Sequence, residues 1–226
     1  LGAVLASDPQ MASKIPNFRT ADVRRVPSSR LNLSTTIPGP RGKQPGPEYD
    51  RYEWAQVPSP LKEAAARSLK SEAWTIYIYG GTGSGKSGLL VSLFRRWRGS
   101  ADFWLADQLI SDIVASRTGA IEKRVQGQVV LRWEEWYWSR LEKVGLLCLD
   151  DFGLRSRGEA GQEVVFRIVN MRVGKPTIVA SNLPLTGDQS ITSVYDSRVA
   201  SRLGAGCVIY ASGPDLRLGH KRKFRA

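Results

Sequence analysis

The sequence predicts an α/β fold in which a parallel β-sheet is flanked by helices. Several short apolar runs are rich in β-branched and aromatic residues and lack hydrophobic alternation, which is typical of strands that are buried on both faces. Segments with the apolar spacing of helices separate these runs, as crossover connections between parallel strands require. The 226 residues, of which 42% are hydrophobic, are enough for one such domain with an appendage.

The predicted elements follow one another in a regular order. Strands are expected at 74–79, 103–106, 145–149, 177–181 and 206–211. Helices are expected at 60–69, 86–97, 105–117, 133–144, 159–173 and 196–203. Ser59 is the expected N-cap of the first helix, because Pro60 suits the first turn that follows a cap.

Proline usage divides the chain into two compositions. Nine of the twelve prolines precede position 61. Because proline fixes φ and donates no amide hydrogen bond, residues 1–50 are predicted to be a Pro-rich basic N-terminal arm, partly extended or disordered. Residues 51–217 are predicted to form the globular domain, and residues 218–226 a basic tail.

The charge balance points to an anionic partner. The chain has 33 Lys and Arg against 21 Asp and Glu, a net charge of +12. An excess of this size most often serves nucleic-acid binding. Two cysteines cannot form a disulfide scaffold, and no apolar stretch is long enough for a membrane helix. We therefore expect a cytoplasmic protein with no membrane partner.

A glycine-rich motif follows the first predicted strand. Residues 80–87, hereafter the P-loop, read Gly-Gly-Thr-Gly-Ser-Gly-Lys-Ser and fit G-x-x-x-x-G-K-[ST] at every fixed position. In this motif the backbone amides and the start of the next helix surround phosphate groups. The cradle residues would be Gly81, Thr82, Gly83, Ser84 and Gly85. Lys86 would reach the β- and γ-phosphates of ATP, and the Ser87 hydroxyl would ligate Mg²⁺.

Two acids end the third predicted strand. We expect this strand beside the P-loop strand, with Asp150 holding Mg²⁺ through its water shell. Asp151 would then orient or deprotonate the attacking water. Residues 150–153 also fit the D-x-x-G pattern of small GTPases, but the N-K-x-D motif that reads guanine does not occur in the sequence. The sequence therefore favours an ATPase.

Together these motifs resemble those of AAA+ ATPases of the initiator and helicase-loader clade, specifically the DnaC/IstB type. The resemblance runs from about residue 49 to residue 217. It implies a P-loop AAA+ core without a C-terminal helical lid, with Asn182 as sensor 1 after the fourth strand. It also implies that Arg202 is an arginine finger, that Arg198 is its companion, and that Arg217 is sensor 2.

The resemblance also implies a DNA-binding element. In the clade an extra helical segment after the second strand contacts single-stranded DNA, and here it would span 105–128 with Arg117, Lys123 and Arg124. Arg155 and Arg157 are second candidates. An arginine finger acting on a neighbour implies self-association into a ring or spiral.

Three functions remain open from the sequence. The first is a helicase loader that assembles with ATP on single-stranded DNA and docks a replicative hexameric helicase. The alternative is an IstB-like transposition helper that binds target DNA and recruits a transposase. A small-molecule P-loop kinase is the third, and it would require an acceptor pocket and a mobile arginine-rich lid.

Overall fold

A computed structural model describes residues 40–70, 74–125, 127–153, 158–213 and 215–216. The helices are α1 (Ser59–Lys70), α2 (Lys86–Arg95), α3 (Ala106–Ser116), α4 (Glu134–Lys143), α5 (Glu159–Met171), α6 (Ile191–Val194) and α7 (Ser197–Gly204). The strands are β1 (Thr75–Gly80), β2 (Ala101–Leu105), β3 (Ile121–Val125), β4 (Gln128–Arg132), β5 (Leu146–Phe152), β6 (Thr177–Ser181) and β7 (Cys207–Ala211).

Five strands form one sheet in the order β2-β5-β6-β1-β7, and all neighbouring pairs are parallel. This confirms the predicted fold class. The expectation that the acid-bearing strand lies beside the P-loop strand is wrong, because β6 lies between β1 and β5. Helix α2 nevertheless packs on both β5 and β6, so the residues after the P-loop still reach the end of β5.

Both faces of β1, β5 and β6 are buried, which explains why these strands do not alternate, whereas the edge strand β7 exposes Val208 and Tyr210. In β1, Ile76 and Ile78 pack into one cluster with residues of α1 and α2. Tyr77, which points to the opposite face, packs into a second cluster with residues of α3, α5 and α7. An apolar side chain is favourable at every position of such a strand, because each face has a helical layer over it.

A β-hairpin occupies part of the segment that was expected to be helical. After α3 the chain forms the antiparallel pair β3–β4, with Gly127 in its turn at φ +81°. The prediction of a helical element across 105–128 is therefore wrong beyond Ser116. Burial alternates along most of both strands, with Ile121 packed against the core and Leu131 exposed on the other face.

Two local boundaries also differ from the predictions. Helix α1 begins at Ser59 itself, and the Pro58 carbonyl accepts the first helical hydrogen bonds, so Ser59 is not the cap. The short helix α6 lies in a segment that was assigned no structure from the sequence. Its N-cap, Ser190, exchanges hydrogen bonds with Ser193 in a capping box.

Residues 40–57, hereafter the strap, lie against the domain. The strap covers the edge of β2, where the amides of Ala101 and Phe103 donate to the carbonyls of Arg41 and Lys43. The amide of Lys43 in turn donates to the buried carboxylate of Asp102. These contacts carry the strap across the sheet edge toward the carboxyl ends of the strands. No helix within the described ranges has the length and apolar character to cross a membrane.

Candidate nucleotide-binding site

The P-loop joins the end of β1 to the start of α2. Gly83 and Gly85 both have positive φ, at +76° and +96°, so the loop folds through backbone conformations that favour glycine. A Cβ on Gly83 would lie 1.7 Å from the Asp215 carboxylate. The amide of Leu216 donates to the Gly83 carbonyl at 3.0 Å. Residues 215–216 therefore pack directly on the phosphate-binding loop.

Lys86 lies under the loop that it is expected to serve. Its side chain is largely buried, and Nζ donates to the Gly81 carbonyl at 2.6 Å and to Ser84 Oγ at 3.5 Å. Gly81 and Thr82 are exposed at the tip of the loop, and a Cβ on Gly81 would meet no atom within 4 Å. The space beside Gly81 is therefore open, whereas Asp215 lies against Gly83, so a phosphate could approach the backbone amides and the lysine from the Gly81 side.

Ser87 and Asp150 meet as the sequence predicted for a magnesium site. Ser87 Oγ donates to Asp150 Oδ1 at 3.2 Å, although the two residues are 63 positions apart. Asp150 is only 2% exposed. Its pKa is raised mainly by burial and to a smaller extent by the charge of Asp151, and hydrogen bonds from Tyr49 and Ser87 partly offset this rise. A serine hydroxyl beside a buried carboxylate gives the oxygen ligands that Mg²⁺ prefers, so these residues fit that ion.

A backbone irregularity places the two acids in different surroundings. Asp151 has φ +53°, and the pairing of β5 with β6 shifts register between Leu149 and Phe152. The Ser181 hydroxyl donates to the Phe152 carbonyl at 2.6 Å and holds this bulge. Asp150 is consequently buried beside Ser87, whereas Asp151 is partly exposed. Bulges commonly redirect side chains near functional sites.

Asn182 follows the last residue of β6. Because β6 pairs directly with β1, Asn182 lies at the same edge of the sheet as the start of the P-loop. Its side chain is exposed. The preceding Ser181 is buried and braces β5, a role that the sequence did not indicate.

Arg198 and Arg202 form one cluster on the outside of α7. Both guanidinium groups lie over the Phe166 ring of α5, at 4.5 Å and 4.8 Å from its centroid. Arg198 pairs with Asp196 at 2.8 Å, and Arg202 Nε donates to Asn170 Oδ1 at 2.9 Å. Among the described residues, these contacts involve α5, α7 and the α7 N-cap, and none involves the P-loop.

The basic residues predicted to bind DNA differ in their exposure and in their ion pairs. Arg117 pairs with Glu163 and Glu134, and Lys123 pairs with Asp112 at 2.7 Å, so two of the three basic side chains already contact acids. Arg124 is exposed on the hairpin face that also exposes Leu131. Arg155, Arg157 and Arg217 lie outside the described residues.

Tyr49 was not singled out from the sequence. Its hydroxyl donates to Asp150 Oδ2 at 2.9 Å. The two residues are 101 positions apart, and Tyr49 belongs to no local motif. The one available signal was a tyrosine at the point where the Pro-rich composition gives way to the globular pattern.

No protein-family model matches the chain, and no curated protein sequence matches it either. Solved structures do match. The DnaC helicase loader covers 74% of this chain and 100% of its own at 16% identity, with a TM-score of 0.56. DnaI covers 80% of this chain and 96% of its own at 20% identity, with a TM-score of 0.53. The replication initiator DnaA, bound to AMPPCP and single-stranded DNA, covers 75% of this chain at 21% identity, with a TM-score of 0.55.

The likeness shows the fold. The described core has the same fold as the solved structures of DnaC, DnaI and DnaA. The chain spans 44% and 51% of two of the DnaA structures that it matches, whereas it spans 96% of the DnaI chain and 100% of the DnaC chain.

Proposed function

We propose that this chain, whose core has the fold of the AAA+ replication ATPases, binds and hydrolyses ATP with Mg²⁺ and loads a replicative helicase onto single-stranded DNA. The observation that carries the proposal is the contact of Ser87 with Asp150 at the base of a complete P-loop. A serine hydroxyl and a buried acid in contact at that point supply the oxygen ligands that would hold a metal beside a triphosphate.

The nucleotide would be held by the chain's own backbone and lysine. The amides of the P-loop and of the first turn of α2 would bind the phosphates, and Lys86 would leave the Gly81 carbonyl to contact the β- and γ-phosphates. Bound between Ser87 and Asp150, Mg²⁺ would neutralise charge that develops on the phosphates. Asp151 is partly exposed and could orient the attacking water or accept a proton from it. Asn182, which follows β6, would hydrogen-bond to that water or to the γ-phosphate.

A neighbouring copy would complete the site. Arg202 and Arg198 contact α5 and α7 rather than their own P-loop, which supports action on the nucleotide of an adjacent subunit. An arginine fork can meet the charge of a transferring phosphoryl group with planar donors. A head-to-tail contact of this kind repeats, so ATP would favour a ring or spiral.

Two similarities support the helicase-loading role. The DnaC helicase loader and DnaI match this chain over nearly their whole lengths, and a matched DnaA structure contains single-stranded DNA. The net charge of +12 supports a nucleic-acid partner. In this chain the exposed Arg124 on the β3–β4 hairpin is the best-placed of the described candidates for a phosphate contact.

The shared active site can be tested by complementation. Lys86→Ala removes phosphate binding but keeps the finger, and Arg202→Ala removes the finger but keeps phosphate binding. Each variant alone should lose at least tenfold in ATPase rate. An equal mixture should regain about a quarter of the wild-type rate, because half of the sites and half of the fingers are intact in a head-to-tail assembly.

The matched control is Arg67→Ala, which removes an exposed helix arginine whose ion pair with Glu63 spans 3.9 Å. It should keep the wild-type rate. Turnover that is independent of protein concentration, unaffected by Arg202→Ala and not restored by mixing would contradict the shared site.

The helicase-loading role is tested by assembly with a replicative helicase. The protein, the hexameric helicase encoded in the same genome, and a labelled single strand are mixed with and without ATP. A ternary complex that needs ATP supports loading. Preference for duplex DNA at equal salt, together with recruitment of a transposase, would instead support the transposition-helper alternative. No helicase complex under any nucleotide condition would exclude loading.

A further inference from the structure

We propose that Tyr49 is a positioning residue for the metal site, because its hydroxyl fixes the carboxylate of Asp150 in the orientation that leaves one oxygen for the metal. The inference deepens the proposed function and rests on it. It concerns a residue outside every motif that the sequence analysis used.

The two oxygens of Asp150 have different partners. Oδ1 accepts from Ser87 at 3.2 Å, and Oδ2 accepts from the Tyr49 hydroxyl at 2.9 Å. If Ser87 turns its oxygen toward a metal ion, Oδ1 is released toward the same ion or its water shell, while Oδ2 stays bound to Tyr49. The tyrosine thus decides which oxygen of the carboxylate faces the metal. Outer partners of this kind orient ligands and tune metal affinity.

The surroundings keep the Tyr49 hydroxyl in place. The ring is buried and packs edge-on against Phe103 of β2, with the centroids 4.8 Å apart. The backbone carbonyl of Tyr49 accepts from Arg95, and Arg95 also donates to the Tyr52 carbonyl and to the Asp50 carboxylate. Arg95 is the last residue of α2, the helix that begins with Lys86. The strap is therefore fixed to the same helix that carries the phosphate-binding lysine.

Charge also favours this arrangement. Asp150 is almost completely buried and lies next to Asp151, so its ionised form needs hydrogen-bond donors. A phenol donating to a carboxylate makes a charge-assisted bond without adding a positive charge that would compete with the metal. A lysine or arginine in this position would neutralise Asp150 and weaken metal binding, whereas a tyrosine keeps it available.

The test uses Tyr49→Phe, which keeps the ring that packs on Phe103 and removes only the hydroxyl. The matched control is Tyr52→Phe, which removes the hydroxyl of a neighbouring strap tyrosine that accepts a hydrogen bond from Arg51. Binding of a fluorescent ATP analogue to the full chain is measured as a function of Mg²⁺ concentration. We expect Tyr49→Phe to raise the Mg²⁺ concentration for half-saturation about tenfold or more. Its affinity for the analogue in EDTA should stay within twofold of wild type.

A second readout separates positioning from general stability. The melting temperature of each variant is measured in the presence of the analogue, with and without Mg²⁺. The rise caused by Mg²⁺ should be smaller for Tyr49→Phe than for wild type and unchanged for Tyr52→Phe. An unchanged Mg²⁺ requirement in a Tyr49→Phe protein that melts cooperatively would overturn the role of Tyr49 alone. A variant with no cooperative transition would show that the hydroxyl serves folding, and would overturn it as well. If the wild-type protein binds no Mg²⁺-nucleotide, both this inference and the proposed function are overturned.

Discussion

Replacing Asp102 with asparagine tests whether the strap is held by the domain through one buried carboxylate. Asp102 is 1% exposed, and its oxygens accept from Arg140 Nε at 2.5 Å, from Arg140 Nη2 at 2.6 Å and from the Lys43 amide at 2.7 Å. Asparagine has a similar size but no charge. Its carbonyl oxygen can take the place of Oδ1, which accepts from the Lys43 amide and Arg140 Nη2, but both bonds lose their charge assistance. The bond from Arg140 Nε to Oδ2 is lost, because the asparagine NH₂ group cannot accept it. The substitution therefore weakens both the arginine pair and the strap.

The size of the effect follows from burial. Removing one partner of a buried ion pair costs about 3–5 kcal/mol when the remaining charge stays buried. The Arg140 side chain is about one third exposed and can turn toward water, which lowers the cost. We expect a loss of about 2–3 kcal/mol in the free energy of unfolding, and hence a fall of about 4–12 °C in melting temperature for a chain of this size.

The assay is urea unfolding followed by tryptophan fluorescence, with hydrogen exchange of the strap amides as a local readout. Asp188→Asn, which changes an exposed aspartate in the loop after β6, is the matched control and should leave the midpoint unchanged. In Asp102→Asn the Lys43 amide should exchange faster than in wild type. A loss below about 1 kcal/mol, or exchange at Lys43 equal to wild type, would refute the reasoning.

Three further substitutions address the loop, the core and a helix cap. Gly83→Ala should lower the affinity for a fluorescent ATP analogue at least tenfold, because φ of Gly83 is +76° and the new Cβ would strike the Asp215 carboxylate. Gly81→Ala is the control and should retain binding, because its new Cβ would meet no atom within 4 Å. Arg172→Met should lower the free energy of unfolding in urea by about 3 kcal/mol, because the buried guanidinium donates to several backbone carbonyls that would lose their partner. Burial lowers the pKa of Arg172 to about 10. Asp196→Ala should cost about 1 kcal/mol at pH 7, because its carboxylate caps α7. Partial burial opposes ionisation of Asp196, but hydrogen bonds hold its pKa below 3.8, so the cost should persist above pH 3.8 and vanish as the pH falls through the lowered pKa.

The features that the sequence predicted correctly depend on local patterns. The P-loop is a contiguous motif, and β1 and β6 are continuous apolar runs, so neither needs knowledge of distant residues. The nearness of Ser87 and Asp150 was also predictable, because Ser87 lies in the first turn of the helix after β1, Asp150 lies near the carboxyl end of β5, and the carboxyl ends of parallel strands meet at one edge.

The features that the sequence missed depend on distant partners. That β6 lies between β1 and β5 is a property of the whole sheet, which no single strand encodes. The β3–β4 hairpin was missed because a family resemblance suggested helix and because neither strand alternates between apolar and polar residues, since 122–124 are all polar and 129–131 are all apolar. Tyr49 could not be found because its partner lies 101 positions away and the preceding prolines suggested an arm that is partly extended or disordered.

The balance of charge around the P-loop gives a physical reason why such a site would need both a metal and a neighbour. Three carboxylates, those of Asp150, Asp151 and Asp215, lie at or near the loop, and among the described residues Lys86 is the cation that contacts it. A carboxylate about 7 Å from a phosphate charge costs about 2 kcal/mol at an effective dielectric constant of 20. A triphosphate would therefore be held weakly until Mg²⁺ and an arginine from another copy offset the acids. On this argument the acids would not impair ATP binding, but would make tight binding conditional on assembly.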